Sequence, residues 1–350
     1  MKLFLEDGSI FEGESFGANA PAAGEVVFTT GMTGYVETLS DPSFAGQIVV
    51  GTFPLVGNYG VPSSELFESE KIQAAGLIVS EYSPTYSHHE ARGSLADWLK
   101  ASGVPALTGV DTRALTKKLR DRGVMLGQIA PHLGEFVNPN RENLVAKVSP
   151  KEKKVYGSGP IRIIAVDCGM KENIVRSLAR PEVTLTRVPW NYDFSHDQYD
   201  ALVLSNGPGD PEMCEITIKH IREAMRDGKP ILGVCLGNQL LALAAGGSTY
   251  KLKYGHRGQN QPCIDVTTGR CYITSQNHGF AVDAKSLPSS WEVWFENAND
   301  GSVEGIRHTS RSWRSVQFHP EANPGPTDTA WIFDDFLQEL AGRRRITIKI

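Results

Sequence analysis

At residues 231–247 an apolar strand, ILGV, passes through Gly233-Val234-Cys235-Leu236-Gly237 straight into the helical run QLLALAAGG. A strand that enters a helix with no loop between them belongs in an α/β sheet covered on both faces. The neighbouring sequence keeps this rhythm. Residues 161–166 form an apolar strand and precede a helix over 171–178. Residues 183–188 form another strand, and 201–204 lead through a glycine-rich turn to a helix over 214–225. This alternation predicts a mainly parallel central sheet flanked by helices. Near the end the pattern turns antiparallel, with 292–295 and 302–306 on either side of a turn at 297–301. A last helix lies near 327–340.

The first part of the chain reads differently. Leu3 and Leu5 precede Asp7-Gly8 and Ile10 follows, the pattern of a hairpin with a type I′ turn. Short strand-like runs cover 25–29, 47–50 and 75–80. One helix starts near Ser94 and stops at Gly103. Another is capped by Asp111 and stops at Gly123, with basic residues near its end as the helix dipole prefers. This is a strand-rich α/β domain. Between the halves, VSPKEKKVYGSGP (148–160) mixes proline, charge and Gly-Ser-Gly, as a linker does, although a long surface loop has the same composition. The expected division is 1–150, a linker at 151–160, and a second domain at 161–345. Two domains suit 350 residues. The tail AGRRRITIKI has no assignable role and reads as a solvated arm.

Composition excludes some functions. A formal net charge of -5 argues against a nucleic-acid partner, which needs a basic patch. Five cysteines without a CxxC pair indicate neither a zinc ribbon nor a redox motif, and no metal site is expected. The apolar stretch in MKLFLEDGSIFEG is too short for a signal peptide or a membrane span. A reducing cytoplasm is the expected location.

The chemistry concentrates in three segments. Cys235, between two glycines at a strand-to-helix turn, has the placement of a nucleophile elbow. The positive helix end favours a thiolate and offers free N–H groups to an oxyanion. A small buried cysteine beside packing glycines would read the same way. A thiol nucleophile needs a base and an orienting group. His319, of nine histidines, follows the strand-like run 313–318, and Glu321 lies two residues on. Taken alone, His319 also fits an ordinary surface histidine. The third segment, SNGPGDP (205–211), follows strand 201–204. Its glycines leave main-chain N–H groups open, and it lacks the GK[ST] ending of a phosphate loop.

GVCLGNQ, HPE and SNGPGDP together resemble the class I, triad-type glutamine amidotransferases. ITSQNHGFAVD (273–283) and FHPEANPGPTDT (318–329) resemble, more narrowly, carbamoyl phosphate synthetase small subunits. So do LEDGSIFEGESFGA, GEVVFTTGMTGY, LSDPSFAGQIVV, FPLVGNYG and GVDTRALTKKLRDRG in the first domain, so the resemblance covers nearly the whole chain. It implies that Cys235 attacks the glutamine side-chain amide, that His319 shuttles the proton and that Glu321 holds His319. It implies an oxyanion hole from Leu236 and Gly207, with Gly209 in the same loop. Gln239, Asn277, Gly279 and Phe280 would hold glutamine, and Ser43 would reach it from the first domain. Asn238 stands where many members have histidine. The partner implied is an ATP-grasp synthetase subunit, separate or fused, which would bind ATP, magnesium and bicarbonate; this chain would carry no cofactor. Two other readings remain at this stage: a free-standing γ-glutamyl cysteine hydrolase, and a non-catalytic regulatory or assembly subunit. The expectation for Glu321→Ala is intact folding with lowered glutaminase activity.

Overall fold

The computed structural model of the protein describes residues 1–345 and Ile348. The chain divides into two units, Met1–Leu144 and Val145–Ile350. The boundary therefore precedes the expected one at 150. The segment 151–160 is not a bare linker: Lys154–Tyr156 is a strand, paired antiparallel with Val183–Pro189 in the second unit. Its lysines suit an edge strand, where charge blocks pairing with another chain. Edge-strand charge and linker charge look the same in a sequence. The tail also divides. Residues up to Arg344 complete the helix Trp331–Arg344, and Ile348 packs against the core of the second unit. Residues 346, 347, 349 and 350 lie outside the described residues.

In the first unit, eight strands form one sheet. Four of them run parallel in the order Ala22–Thr29, Gln47–Gly51, Gly76–Ile78 and Ala106–Thr108. Lys2–Leu5 and Ile10–Glu12 form the expected hairpin. Its turn is not type I′. In this turn Gly8 has φ 85° while Asp7 is not at positive φ, and the Gly8 N–H donates to Leu5 O at 2.9 Å. A type I′ turn requires positive φ at both central residues, so glycine alone supplies the left-handed step of a longer loop. The two helices have the predicted caps: Ser94 Oγ accepts from Asp97 N at 3.1 Å, and Asp111 Oδ1 accepts from Ala114 N at 2.8 Å.

The second unit is built on a ten-stranded sheet. Its centre is parallel, in the order Val183–Pro189, Ile161–Asp167, Ala201–Leu204, Ile231–Val234 and Trp313–Val316. Alternate residues along these strands face opposite sides. Ile161, Ile163 and Ala165 pack with the helices Glu172–Leu178 and Trp331–Arg344. Ile164 and Val166 pack with Glu215–Asp227 and Leu236–Ala245. Beyond Trp313–Val316 the sheet continues antiparallel through Val303–His308, Cys271–Val282, Thr249–Asp265 and Trp291–Asn297. The two long strands of this extension escaped the sequence reading. They are polar, and their register breaks between Lys251 and His256 and again between Gly258 and Gln261, so no steady period of two runs through them. No helix among the described residues is long and apolar enough to cross a membrane.

Candidate active site

Cys235 sits at the junction of Ile231–Val234 and Leu236–Ala245 with φ 53° and ψ −102°. A non-glycine residue at positive φ is strained, and such strain gathers at functional turns. The flanking glycines make the turn possible. A Cβ on Gly233 would lie 2.6 Å from Gly237 O, and one on Gly237 would lie 2.2 Å from Leu204 O. The Cys235 N–H donates to Val316 O at 2.8 Å, tying the turn to the next parallel strand. The sulfur is buried. It faces the carbonyl of Asn277 at 3.7 Å and the side-chain nitrogen of Gln317 at 3.6 Å.

His319 follows the strand Trp313–Val316, and its N–H donates to Ser275 O at 2.9 Å. Its Nδ1 lies 2.6 Å from Glu321 Oε1. An ionised carboxylate only accepts, so the proton is on Nδ1. That leaves Nε2 as the ring nitrogen free to interact with the Cys235 sulfur. Burial disfavours the imidazolium, but the Glu321 carboxylate and then the Cys235 sulfur outweigh it and hold the His319 pKa well above its ordinary value. Burial also disfavours the Glu321 charge. Lys171 and His319 outweigh that and hold Glu321 below the usual carboxylate range.

Lys171 was missed in the sequence. It is almost fully buried, with Nζ 3.1 Å from Glu321 Oε1 and donating to Ala322 O at 2.5 Å. It stands at the N-cap of Glu172–Leu178, where a cation opposes the helix dipole, and that misplacement was the available signal. Its loop is held by Asp167, whose Oδ1 accepts from Gly169 N and Met170 N at 2.7 Å each. The Lys171 N–H donates to Asn206 Oδ1 at 3.0 Å. The ends of two parallel strands are thus tied together beneath Glu321.

Several of the other predicted positions of the second unit contact one another or the sulfur. Gly207 packs on Leu236: a Cβ there would lie 2.8 Å from Leu236 Cδ2. Gly209, in the same loop, has φ 84°. Gln239 Nε2 donates to Phe280 O at 2.9 Å, and Asn277 faces the sulfur from the same strand. Gly279, between Asn277 and Phe280, lies beside Arg257. Asn238 is fully buried. It accepts from Ser315 Oγ at 2.8 Å and donates to Gln317 Oε1 at 3.2 Å. Ser43 belongs to the first unit, where it is buried in the turn Pro42–Phe44 with its N–H donating to Asp41 Oδ1 at 2.9 Å.

A second buried cluster supports the strand that carries Asn277 and Phe280, and it too was missed. His278 Nδ1 donates to Phe280 O at 2.8 Å. Opposite it in register, His256 bridges Glu304 Oε1 at 3.2 Å and Asp300 Oδ2 at 2.9 Å. Burial opposes charge on His256, but Glu304 and Asp300 raise its pKa. Burial pushes Glu304 up more than His256 pulls it down.

The geometry supports nucleophilic attack by a buried sulfur beside an imidazolium whose Nδ1–H is held by Glu321. The comparisons name the family. A model of the carbamoyl-phosphate synthase small chain, CPSase domain, matches residues 3–129, and one of the glutamine amidotransferase class-I family matches residues 164–339. The chain belongs to the carbamoyl-phosphate synthase small-chain family. Among relatives, it is 48% identical over 359 residues to the carbamoyl phosphate synthase arginine-specific small chain of Saccharomyces cerevisiae, covering 96% of this chain and 87% of that one. It is 52% identical over 352 residues to the multifunctional protein CAD of Squalus acanthias, covering 96% of this chain but 16% of that protein. It is 49% identical over 361 residues to the mitochondrial carbamoyl-phosphate synthase [ammonia] of Aquarana catesbeiana, covering 99% of this chain and 24% of that protein. The chain therefore spans a quarter or less of the length of these two larger relatives. The family's class I amidotransferase fold agrees with the parallel sheet and elbow described above.

Proposed function

We propose that the chain is the glutamine-hydrolysing subunit of a carbamoyl phosphate synthase. Cys235 attacks the side-chain amide carbon of glutamine, and the amide oxygen becomes an oxyanion held by the N–H groups of Leu236 and Gly207. His319 gives its proton to the departing nitrogen, ammonia leaves, and a γ-glutamyl thioester remains. His319 then takes a proton from water, which attacks the thioester. The C–S bond breaks with its electron pair going to sulfur, and glutamate departs. Gln239, Asn277, Gly279 and Phe280 hold the glutamine, with Ser43 contributing from the first unit and Gly209 lining the oxyanion loop. A synthetase partner of the ATP-grasp type, separate or fused, receives the ammonia. It binds the ATP, magnesium and bicarbonate, and no cofactor is assigned to this chain. The product serves pyrimidine and arginine synthesis. The five free cysteines suit a reducing compartment such as the cytoplasm.

The observation that carries this reading is Cys235 on its strained turn, beside a His319 whose charge state Glu321 sets. The test uses the chain with its co-purified synthetase. Cys235→Ser is expected to abolish carbamoyl phosphate formation from glutamine and to spare formation from ammonia. Equal loss of both would make Cys235 structural.

One relative suggests a second reading, because its name specifies ammonia. A chain that serves ammonia alone has no use for a thiol nucleophile, so Cys235 with its paired His319 and Glu321 favours glutamine. A free-standing γ-glutamyl hydrolase is disfavoured by the small-chain domain at residues 3–129. Turnover of γ-glutamyl peptides without any partner would revive it.

A further inference from the structure

Gln317 is fully buried and was given no role by the sequence, yet its side chain reaches the nucleophile. Which end of its amide does so follows from a chain of contacts that begins at a main-chain carbonyl. Phe280 O can only accept, and Gln239 lies against it at 2.9 Å, so that end of Gln239 is the nitrogen. The same nitrogen lies 3.1 Å from Gln317, so the Gln317 atom there is the oxygen, Oε1. Asn238 Nδ2 donates to this oxygen as well, at 3.2 Å, and is held in place by Ser315 Oγ at 2.8 Å. The remaining end of Gln317 is therefore an N–H donor, and it stands 3.6 Å from Cys235 Sγ.

The sulfur's other close polar neighbour on the main chain is the carbonyl of Asn277, at 3.7 Å, which suits a thiol and repels a thiolate. The His319 proton offsets that repulsion only while His319 holds it. When water attacks the thioester, the sulfur leaves with the bonding electron pair and must be stabilised as an anion. A neutral amide N–H does this whatever the protonation state of His319, and a donor to an ionised group is the stronger kind of hydrogen bond.

We infer that Gln317 is a further catalytic residue, whose side-chain N–H stabilises the Cys235 thiolate and whose amide is locked in that orientation by Gln239 and Asn238. The inference deepens the glutaminase reading and rests on it for the chemical steps; the hydrogen bond itself rests on geometry. It also gives Asn238 a purpose. Its amide donates to Gln317 Oε1 while its own oxygen accepts from Ser315.

The test is alkylation of Cys235 by iodoacetamide across a pH series on the full chain, with the labelled peptide identified by mass. Gln317→Met keeps the length and apolar volume but removes the donor. Labelling at neutral pH is expected to slow by about tenfold and the pH midpoint of labelling to move upward in a chain that still folds, while the Asn238 and Gln239 N–H groups that lose their shared acceptor lower its thermal midpoint. Glutamine binding, measured calorimetrically in a Cys235→Ser background, is expected to be retained, because Gln239 keeps its hydrogen bond to Phe280 O when Gln317 Oε1 is removed. If Gln317→Met does not fold, Gln317→Asn, which withdraws the amide by one methylene, is expected to show the same slowing. Wild-type labelling and an unmoved pH midpoint in the folded variant would overturn the inference. Alkylation needs no substrate, so slowed labelling in a chain that fails to hydrolyse glutamine would sink the glutaminase reading and leave the hydrogen bond standing.

Discussion

One carboxylate, Glu321, serves two cations. It orients His319 and it neutralises Lys171, and both partners are buried with it. This changes what truncation does. Glu321→Ala strands the Lys171 charge in the interior, so a stability loss of about 3–5 kcal/mol is expected, readable as a lowered denaturant midpoint. The sequence by itself points to intact folding of this variant; the buried Lys171 beside Glu321 points to a loss of stability. Glu321→Gln is gentler on volume and tests chemistry. Because the Glu321 charge is the main cause raising His319, the imidazolium is favoured in the fold. That contribution is whole below the ordinary 6.5 and is lost as pH rises through the raised value. In Glu321→Gln the alkaline limb of the glutaminase profile is expected to move to lower pH, and kcat to fall by about a hundredfold. An unmoved limb would separate Glu321 from His319. Cys235, His319 and Glu321 were legible because each lies in a short contiguous pattern. Lys171 was not, because a lysine reads as exposed until burial is known.

Among the elements, the strand–elbow–helix unit and the bulged antiparallel hairpin do different work. The elbow helix lies so close to the neighbouring strand that Gly237 has no room for a methyl group: its Cβ would meet Leu204 O at 2.2 Å. Gly237→Ala is expected to cost about 1–3 kcal/mol by overpacking, checked by thermal unfolding, and to displace the nucleophile. Wild-type stability and turnover together would refute the close packing. The hairpin Thr249–Asp265 with Cys271–Val282 breaks register just before His256, with Gly255 at φ 69°, and the break sets His256 opposite His278. Bulges of this kind re-aim side chains near active sites. His256→Ala would leave Glu304 buried without its cation, an expected loss of about 3–5 kcal/mol. Both pKa values in this pair are raised, so their effects on stability share a sign. The His256 contribution is whole below 6.5 and fades as pH rises, and the rise in Glu304 lowers stability as pH climbs from its ordinary 4.5. Glu304→Gln should flatten that part of the stability–pH curve. Asp300, which also faces His256, and His278, which burial holds neutral, remain in the variant and keep their own slopes.

At the scale of the whole molecule, each unit has its own apolar core. The second unit carries two layers, one on each face of its sheet, and in the first Val27, Val49 and Leu77 are buried on one face while Val26, Ile48 and Ile78 are buried on the other. A fragment comprising residues 145–350 is therefore expected to unfold in a single cooperative transition by circular dichroism, since such a core suffices for a domain of this size. A fragment starting at 161 would lose the edge strand Lys154–Tyr156 and expose the ladder of Val183–Pro189. It is expected to be less stable and more prone to associate.

The sequence alone determined the two-unit α/β plan, the parallel centre of the second sheet and the capped helices, and it singled out Cys235, His319 and Glu321, which the structure brings together. All of these are written in local patterns: apolar runs of strand length, a cap three residues before its partner, a nucleophile between glycines. Tertiary structure decided the rest. It set the boundary at Leu144, because a charged edge strand and a charged linker share one composition. It buried Lys171 beside Glu321, set Gln317 against the Cys235 sulfur and placed His256 edge-on across from His278. These contacts join residues 22 to 150 positions apart, and no local period encodes the meaning of a polar side chain that water never reaches.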